Sequence, residues 1–461
     1  MLHPIPRLGA LMTALALLLT ACAPAPQSSA SGAPSQDLDA VAVLQPDPRP
    51  SQPDAPPAPP TSPAQEAEAP AEVPVLTQED IDDALAQVMA NYRATAVSVA
   101  TIEHGALSQS GAWGWAVKNE REMSPDTKVR IASISKVVIA MCAMAMAEEG
   151  IVSLDAPISD YWGSGAVNPY SKGQPTIRTF MTHTSSIKNL DTTRGLSTLR
   201  GILQSRSSWR TMEPGNGGYW SYSNFGMCIL GTTLELAYDG LLEDYLQQHF
   251  LEPIGAKASF FGGRMEQSEL ATLYTTGGVG RSAAEHAGQS IPTQIGQGAS
   301  YFPGGFTVSA VDMVKLVSVL ANDGVYKERE DRYIEISPPI GESNAQYSIV
   351  VPTYQETRLL SKESVADMET PRFTVSLEGY SPFEQCLILR RQEDVLGRDV
   401  IYYHTGSAYG VFSLMTYDPE TQDGIVVITT GASRNMNEHG MYSLCYDLMD
   451  ILYAKMEADR V

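Results

Sequence analysis

A serine and a lysine stand three residues apart, at Ser133 and Lys136, directly before the apolar residues 137–147. Residues i and i+3 of a helix lie on one face, so the two side chains meet if this segment is helical. A serine hydroxyl becomes a good nucleophile only beside a base, and a lysine partly stripped of water can be that base. The spacing therefore predicts a helix, ended near Gly150, whose N-terminus carries an acyl-transfer nucleophile and favours an oxyanion.

Two other interpretations of this spacing must be weighed. The simpler one is a buried helix that merely uses Ser133 as its N-cap. In addition, Ser185 and Lys188 have the same spacing, but no apolar run follows them. We therefore predict that Lys188 is a solvated loop residue and that Ser133 is the candidate nucleophile.

Two further motifs lie downstream of the serine and the lysine. They are Tyr222-Ser223-Asn224 and His404-Thr405-Gly406-Ser407. Ser-x-x-Lys, Tyr-x-Asn and a basic residue before Thr-Gly, in this order, resemble the three motifs of the serine β-lactamases and penicillin-binding DD-peptidases. The closest resemblance is to the class C β-lactamase branch, which also contains DD-carboxypeptidases and family VIII esterases.

The resemblance extends over roughly residues 80–455 and includes phrases at residues 154–157, 176–185, 253–255 and 304–309. It implies an α/β (α+β) fold: an antiparallel β-sheet flanked by N- and C-terminal helices, with a mainly helical subdomain inserted at roughly residues 150–325. The catalytic cleft would lie between the sheet and this insertion.

The resemblance also implies a role for each motif residue. Ser133 attacks the substrate carbonyl, and Lys136 and Tyr222 share the proton that its hydroxyl loses. Because a tyrosine normally has a pKa of about 10, Tyr222 acts as a base only if a nearby cation stabilises its phenolate. Asn224 binds the substrate amide or Lys136, or instead caps the following helix. The backbone N–H groups of Ser133 and Ser407 hold the oxyanion.

The third motif departs from the lysine that β-lactamases commonly have before Thr-Gly. His404 has a reference pKa near 6.5 and is largely neutral at pH 7 unless perturbed. Some DD-peptidases and esterases of this branch share His-Thr-Gly, so we predict a peptidase or esterase acting on a small-molecule or peptidoglycan-derived substrate. The alternatives are a β-lactamase, and a non-catalytic surface lipoprotein that binds peptidoglycan or a partner in the same pocket. His183 is interpreted as a loop-organising residue rather than a base.

Hydrophobic patterns locate several elements of the fold. Residues 97–102 and 411–417 alternate and predict half-buried strands, and residues 425–428 predict a central strand. Helical patterns cover residues 227–238 and 310–322, and an apolar stripe at residues 441–452 predicts a helix near the C-terminus.

The N-terminal part is not predicted to belong to this fold. Residues 1–21 read as a signal peptide, and Leu19-Thr-Ala-Cys22 is of the lipobox type, which predicts lipid attachment at Cys22. The alternative is an ordinary secretory signal in which Cys22 is incidental. Residues 22–76 hold fourteen of the 30 prolines and predict a disordered tether. We therefore expect a hydrolase-like domain at residues 77–461, lipid-anchored to the cell membrane outside the cytoplasm.

Composition limits the possible partners. The formal net charge of −22 argues against nucleic acid, which requires basic patches. No Cys-x-x-Cys or other metal-ligand spacing occurs, so we predict neither a metal nor an organic cofactor. The pairing of the remaining cysteines stays open between disulfides and buried thiols; they are Cys142, Cys228, Cys386 and Cys445.

Overall fold

The computed structural model describes residues 78–336 and 347–460. The predicted signal peptide at residues 1–21, the lipidation site Cys22 and the predicted tether at residues 22–76 lie outside the described residues. All three motifs lie within the described residues.

The described residues contain fifteen β-strands. In chain order they are β1 (Ala96–Glu103), β2 (Ala106–Val117), β3 (Arg121–Glu122), β4 (Val129–Arg130), β5 (Leu273–Thr275), β6 (Gly278–Arg281), β7 (Thr307–Val308), β8 (Val325–Ile336), β9 (Tyr347–Arg358), β10 (Phe373–Val375), β11 (Phe383–Gln385), β12 (Arg390–Val395), β13 (Arg398–Ala408), β14 (Val411–Asp418) and β15 (Asp423–Thr430).

Eleven α-helices occur in the same residues. In chain order they are α1 (Gln78–Tyr92), α2 (Ser135–Glu148), α3 (Ser159–Trp162), α4 (Ile177–Met181), α5 (Leu196–Gln204), α6 (Asn224–Tyr238), α7 (Leu242–Leu246), α8 (Ala283–Ala287), α9 (Ala310–Ala321), α10 (Lys362–Glu369) and α11 (Ser443–Ala458). The helices predicted at residues 227–238, at residues 310–322 and near the C-terminus are confirmed as α6, α9 and α11.

One large sheet organises the domain. Its strand order is β10-β11-β12-β13-β14-β15-β1-β2-β8-β9, and β3 pairs with β2 at its side. The predicted α/β (α+β) class is confirmed, but the sheet is mixed rather than wholly antiparallel, because β2 and β8 run parallel where Ala106 faces Lys327. Just over two hundred residues of mainly helical chain separate these two strands, which is ample for the crossover that a parallel pair requires.

Both faces of the central strands are covered. Helices α1 and α11 pack together on one face over Val97 and Val427, and α9 contacts β1, β2, β14 and β15 on the other, near Ala100 and Ile428. The strands predicted at residues 97–102 and 411–417 are confirmed as β1 and β14, but their predicted half-burial is wrong, since both strands are buried on each side. Alternating small polar residues in them are accommodated in the interior, such as Ser98 at 0% exposure.

The chain between α2 and α9 is mainly helical. Within it α6 packs against α2, α3, α4 and α7, and a small hairpin of β5 and β6 is included. Helix α9 falls inside the predicted insertion of residues 150–325 but lies on the sheet, so the helical insertion ends before it.

Two further features concern the described residues as a whole. No single helix in them is long and apolar enough to cross a bilayer, and only the pair Asn224–Tyr238 and Leu242–Ile254, bent by 78°, meets that test jointly.

Cys142, Cys228, Cys386 and Cys445 are all free and buried.

Candidate active site

Ser133 lies in a single 3₁₀ turn (Ala132–Ile134) that leads directly into α2. The preceding residue, Ala132, has a φ of +52°, in the left-handed region that residues other than glycine seldom adopt. Ser135 fixes the turn: its hydroxyl donates to the Ala132 carbonyl at 2.6 Å and accepts the Phe306 N–H at 2.9 Å. Ser133 as a simple helix cap is wrong, because no side chain caps either the turn or α2.

Lys136 lies one turn further along, on the same face as Ser133. Its Nζ donates to Ser133 Oγ at 2.8 Å and to the Pro303 carbonyl at 2.7 Å. The side chain is fully buried because α2 is the apolar core helix that the sequence predicted, with twelve of its fourteen residues buried. The structure thus places an amine, shielded from bulk water, in direct contact with the candidate nucleophile.

Tyr222 belongs to the same group of side chains and is 3% exposed. The Nζ of Lys136 is 4.8 Å from the centroid of its ring, within the range of a cation–π contact. A base role for Tyr222 requires a nearby cation, and the Lys136 side chain lies at that distance. The structure therefore brings Ser133, Lys136 and Tyr222 together as the sequence predicted.

The turn that holds Tyr222 is fixed by the start of α6. Ser223 is the N-cap of this helix, and its Oγ accepts the Gly226 N–H at 2.8 Å. Asn189 Oδ1 accepts a second N–H, from Phe225, at 3.2 Å. Asn224 is the first residue of α6, so the alternative in which Asn224 is the cap is wrong, and its side chain is not needed for that purpose.

Strand β13 carries His404, Thr405, Gly406 and Ser407, and it lies against the nucleophile turn. A methyl group at position 406 would meet the Ile131 carbonyl oxygen at 2.2 Å and the Ser133 nitrogen at 3.1 Å. Ser413 on β14 also binds this turn, because its Oγ donates to the Ile131 carbonyl at 2.8 Å. Only a glycine allows this approach, which sets Ser407 beside the turn of Ser133.

His404 is 1% exposed, and its Nδ1 lies 2.7 Å from the Thr405 carbonyl. Burial holds its pKa well below the usual range for histidine, and the charges of Arg390 and Lys136 lower it further. The imidazole is therefore neutral at pH 7, so this position lacks the permanent cation that a lysine would supply.

His183 is more closely involved than the sequence indicated. Its ring lies 4.4 Å from the ring of Tyr222, and its Nδ1 accepts the Ser223 N–H at 3.3 Å. Burial, followed by the charges of Lys136 and Arg390, keeps its pKa well below the usual value, so it acts as a neutral acceptor. Its interpretation as a loop-organising residue is confirmed by these contacts.

Sequence reasoning missed Arg390, Asn189 and Ser413. Arg390 on β12 influences both neutral histidines, while the other two hold the turns of the site through backbone groups. None of the three belongs to a recognisable motif, and each acts on residues that are distant in sequence and near only in the folded structure.

The second Ser-x-x-Lys sequence is a loop. Ser185 is buried outside any helix, and Lys188 is exposed, as predicted. Lys188 has no contact with Ser185 among the hydrogen bonds of the described residues, so spacing alone does not create the pair found at Ser133 and Lys136.

Among residues 78–336 and 347–460, no group of three or more His, Cys, Asp or Glu side chains could hold a metal ion. A surface cavity of about 780 Å³ between Lys128, Asp244 and Lys257 includes none of the predicted site residues.

A buried serine, lysine and tyrosine at the junction of an antiparallel region of sheet and a helical insertion define a serine hydrolase of the β-lactamase and transpeptidase fold. A family model described as Beta-lactamase matches residues 81–444. Because this match covers most of the chain, the protein belongs to the Beta-lactamase family.

Solved structures show the same fold. The octameric penicillin-binding protein homologue from Pyrococcus abyssi is 20% identical with a TM-score of 0.59, covering 82% of this chain and 78% of that one. The D-amino acid amidase from Ochrobactrum anthropi SV3 is 19% identical with a TM-score of 0.58 (83% and 100% covered). The D-alanine carboxypeptidase AmpC from Burkholderia cenocepacia is 18% identical with a TM-score of 0.58 (83% and 100% covered).

Similarity to curated proteins is more limited in length. The putative fimbrial assembly protein FimD, serogroup D, of Dichelobacter nodosus is 24% identical over 222 residues, which are 46% of this chain and 53% of that protein. The chain thus spans about half the length of the curated relatives it matches in this way.

Proposed function

We propose that this serine hydrolase cleaves amide or ester bonds through a covalent acyl-enzyme at Ser133, and that it prefers D-alanyl peptides or short acyl esters to β-lactams. The observation that carries the proposal is the 2.8 Å contact between the Lys136 amine and the Ser133 hydroxyl, in a buried group that includes Tyr222. This contact supplies the adjacent base that a serine needs to attack a carbonyl at neutral pH.

The proposed acylation has two steps. Ser133 Oγ forms a bond to the carbonyl carbon while its proton passes to the pair of Lys136 and Tyr222. The N–H groups of Ser133 and Ser407 stabilise the resulting oxyanion, a role supported by the close approach of β13 at Gly406. The bond to the leaving group then breaks, and the amine or alcohol takes up the proton held by the pair.

Deacylation repeats the sequence with water. The water oxygen attacks the ester carbonyl, its proton passes to the same pair, and the ester bond to Ser133 breaks as the serine recovers a proton. We assign to Asn224, at the start of α6, and to Thr405, on β13, hydrogen bonds to the acyl part of the substrate.

The substrate preference rests on the neutral state of His404. β-Lactamases commonly have a permanent cation at this position, whereas some DD-peptidases and esterases of the class C branch have histidine. The buried, neutral imidazole supports the second group. The similar structures share only the fold and include a carboxypeptidase and an amidase as well as class C β-lactamases, so the preference rests on His404 alone.

A substrate panel resolved by leaving group tests this proposal. The protein is assayed with a D-alanyl-D-alanine peptide, a p-nitrophenyl acyl ester and a cephalosporin, beside Ser133→Ala. We expect turnover of the peptide or the ester at least about tenfold above the cephalosporin in kcat/KM, and none in Ser133→Ala. Faster hydrolysis of the cephalosporin would assign the protein as a β-lactamase instead.

We further propose that the mature protein is anchored to the cell membrane through lipid on Cys22 and faces away from the cytoplasm. The lipobox sequence and the proline-rich residues 22–76 support this. Metabolic labelling with an alkyne fatty acid should mark the full chain and not Cys22→Ser. Equal labelling of both would refute the anchor.

A further inference from the structure

A shallow cleft of about 380 Å³ lies beside the segment that carries Tyr222. Eight residues line it, of which three are cationic, Lys188, Arg206 and Arg210, and none is acidic. The cleft is open to solvent, and its wall is partly aromatic, because Tyr170 is 41% exposed there.

The charge of this cleft is opposite to that of the protein. The chain has 31 basic and 53 acidic residues, yet none of these three cations forms an ion pair within the described residues. Glu213, three residues after Arg210, accepts hydrogen bonds from the Ser171 hydroxyl and from the Gly173 N–H, the latter at 2.8 Å. The exposed Asp191, three residues after Lys188, forms no ion pair with it in the part of the chain that the structure describes. The cations are therefore available to an anion from solution.

Two of the cations are held in position. The guanidinium of Arg206 lies 4.8 Å from the ring centroid of Tyr170, which restrains it by a cation–π contact. Arg210 is half-buried, and one of its terminal nitrogens donates to Ser221 Oγ at 3.2 Å. A guanidinium is always charged and offers several donors in a plane, a geometry that suits carboxylates.

The cleft is coupled to the active site through the backbone. Ser221 directly precedes Tyr222, and its N–H donates to the His183 carbonyl at 3.0 Å. Two of its lining residues lie on paired segments, because the Lys188 N–H donates to the Ser208 carbonyl and the Arg210 N–H to the Ser186 carbonyl, both at 2.9 Å. The cleft therefore shares the wall formed by Ser221 with the segment that holds Tyr222.

We propose that this cleft binds a carboxylate on the acyl side of the substrate, so that the protein selects acidic peptide donors. The proposal rests on the proposed function of Ser133, since it concerns the acyl group that Ser133 would accept. A substrate carboxylate that binds the partly buried guanidinium of Arg210 forms a charge-assisted hydrogen bond, which is stronger than a neutral one.

Matched peptides test the selection. Three pairs of peptides ending in D-Ala-D-Ala carry either Glu or Gln at the first, second or third position before that dipeptide, and kcat/KM is measured with the full chain in detergent. In at least one pair the Glu peptide should be favoured by about tenfold, the change expected from one charge-assisted hydrogen bond. Arg206→Gln and Arg210→Gln should reduce this ratio to about one.

Lys172→Gln is the matched control, because Lys172 is an exposed cation near Tyr170 that does not line the cleft. It should keep the wild-type ratio and the wild-type rate. A ratio of about one in all three pairs with the wild-type protein would overturn the inference, while acylation of Ser133 by both peptides would leave the proposed function intact.

If no peptide is turned over, binding to Ser133→Ala tests the carboxylate-binding cleft separately from the proposed function of Ser133. Isothermal titration of this variant with the same pairs should show tighter binding of one Glu peptide, with an affinity that falls as salt is raised. Equal affinities for Glu and Gln peptides in every pair would refute the cleft, whatever the outcome for catalysis.

Discussion

His404 shows how one buried side chain shapes the chemistry of the site. The sequence predicted an imidazole that is largely neutral at pH 7, and burial with the neighbouring charges of Arg390 and Lys136 holds its pKa well below the usual range. The same two charges and burial act on His183, so both histidines near the group of Ser133, Lys136 and Tyr222 are neutral.

The state of His404 predicts the pH dependence of acylation. Because its folded pKa lies well below 6.5, the imidazole does not titrate between pH 6 and 8, and kcat/KM should show no step from it there. The profiles of the wild type and His404→Gln should run parallel over this interval, whatever their heights. A step near pH 6.5 that is present in the wild type and lost in the variant would contradict a neutral His404.

At this scale the sequence predicted which side chains meet at the candidate site but not their surroundings. Ser133 and Lys136 were predictable because a helix fixes the positions of residues i and i+3, and Tyr222 was predictable through a family motif. The contact of His183 with Tyr222 and the influence of Arg390 depend on how distant segments pack, which no local pattern encodes.

Strand β13 and the nucleophile turn form one packed unit, and Gly406 is the residue that permits their approach. Gly406→Ala places a methyl group 2.2 Å from the Ile131 carbonyl and 2.4 Å from Ser413 Oγ, so the strand must move away from Ser133. We expect a loss of stability of about 1–3 kcal/mol and a fall in kcat of about tenfold or more, since the oxyanion donors separate.

Gly201→Ala is the control for that change. Gly201 lies in α5 with nothing within 4 Å of an added methyl group, so alanine should keep activity and keep or raise stability. Thermal unfolding and ester hydrolysis measure both properties. Wild-type activity in Gly406→Ala would show that β13 does not position the oxyanion donors.

Helix α6 contains a buried carboxyl group whose titration should be visible in stability. Glu235 is 1% exposed and accepts the Gly296 N–H at 2.7 Å. Burial raises its pKa to about 7, although hydrogen bonds from Gly296 and Leu242 oppose this. The folded protein therefore binds this proton more tightly than the unfolded chain does.

The consequence is a fall in the free energy of unfolding as pH rises from about 4.5 to about 7, with no further change from this group above that. The fall amounts to about 3 kcal/mol at most. Urea unfolding at several pH values should show it in the wild type and in the surface control Glu252→Gln, and show a smaller fall in Glu235→Gln. Identical slopes in all three proteins would refute the raised pKa.

At the scale of elements, periodicity predicted the long helices and missed part of the sheet. α6 and α9 were found because their apolar residues recur at helical spacing. The hairpin of β8 and β9 was not predicted, because the charged run of residues 327–332 lacks an apolar alternation and is paired through its backbone. The burial of β1 and β14 on both faces depends on α9, whose place over the sheet is a matter of tertiary packing.

In the whole domain, the N-terminal and C-terminal ends of the described chain depend on each other. Leu85 of α1 is fully buried in the layer formed with α11, and the Tyr92 hydroxyl donates to Asp447 at 2.7 Å. The central strand β1 follows directly, so α1 closes one face of the sheet that carries the third motif.

This arrangement predicts where the chain can be shortened. A fragment that begins at Thr77 should match the full chain in unfolding temperature and kcat/KM, because it keeps α1. A fragment that begins at Thr95 loses Ile81, Leu85 and Val88 from the core, at roughly 1.5–3 kcal/mol for each side chain, and should unfold at a much lower temperature. Equal stability of the two fragments would contradict the packing of α1 on the sheet.

Covalent labelling tests the central claim most directly. The protein is incubated with a fluorophosphonate or a fluorescent penicillin, and the adduct is located by peptide mass mapping in the wild type, Ser133→Ala, Lys136→Met and Tyr222→Phe. We predict an adduct on Ser133 alone, absent from Ser133→Ala and formed at least about a hundredfold more slowly in the other two variants. An adduct on Ser185, or unchanged labelling rates without the amine and the phenol, would contradict the account.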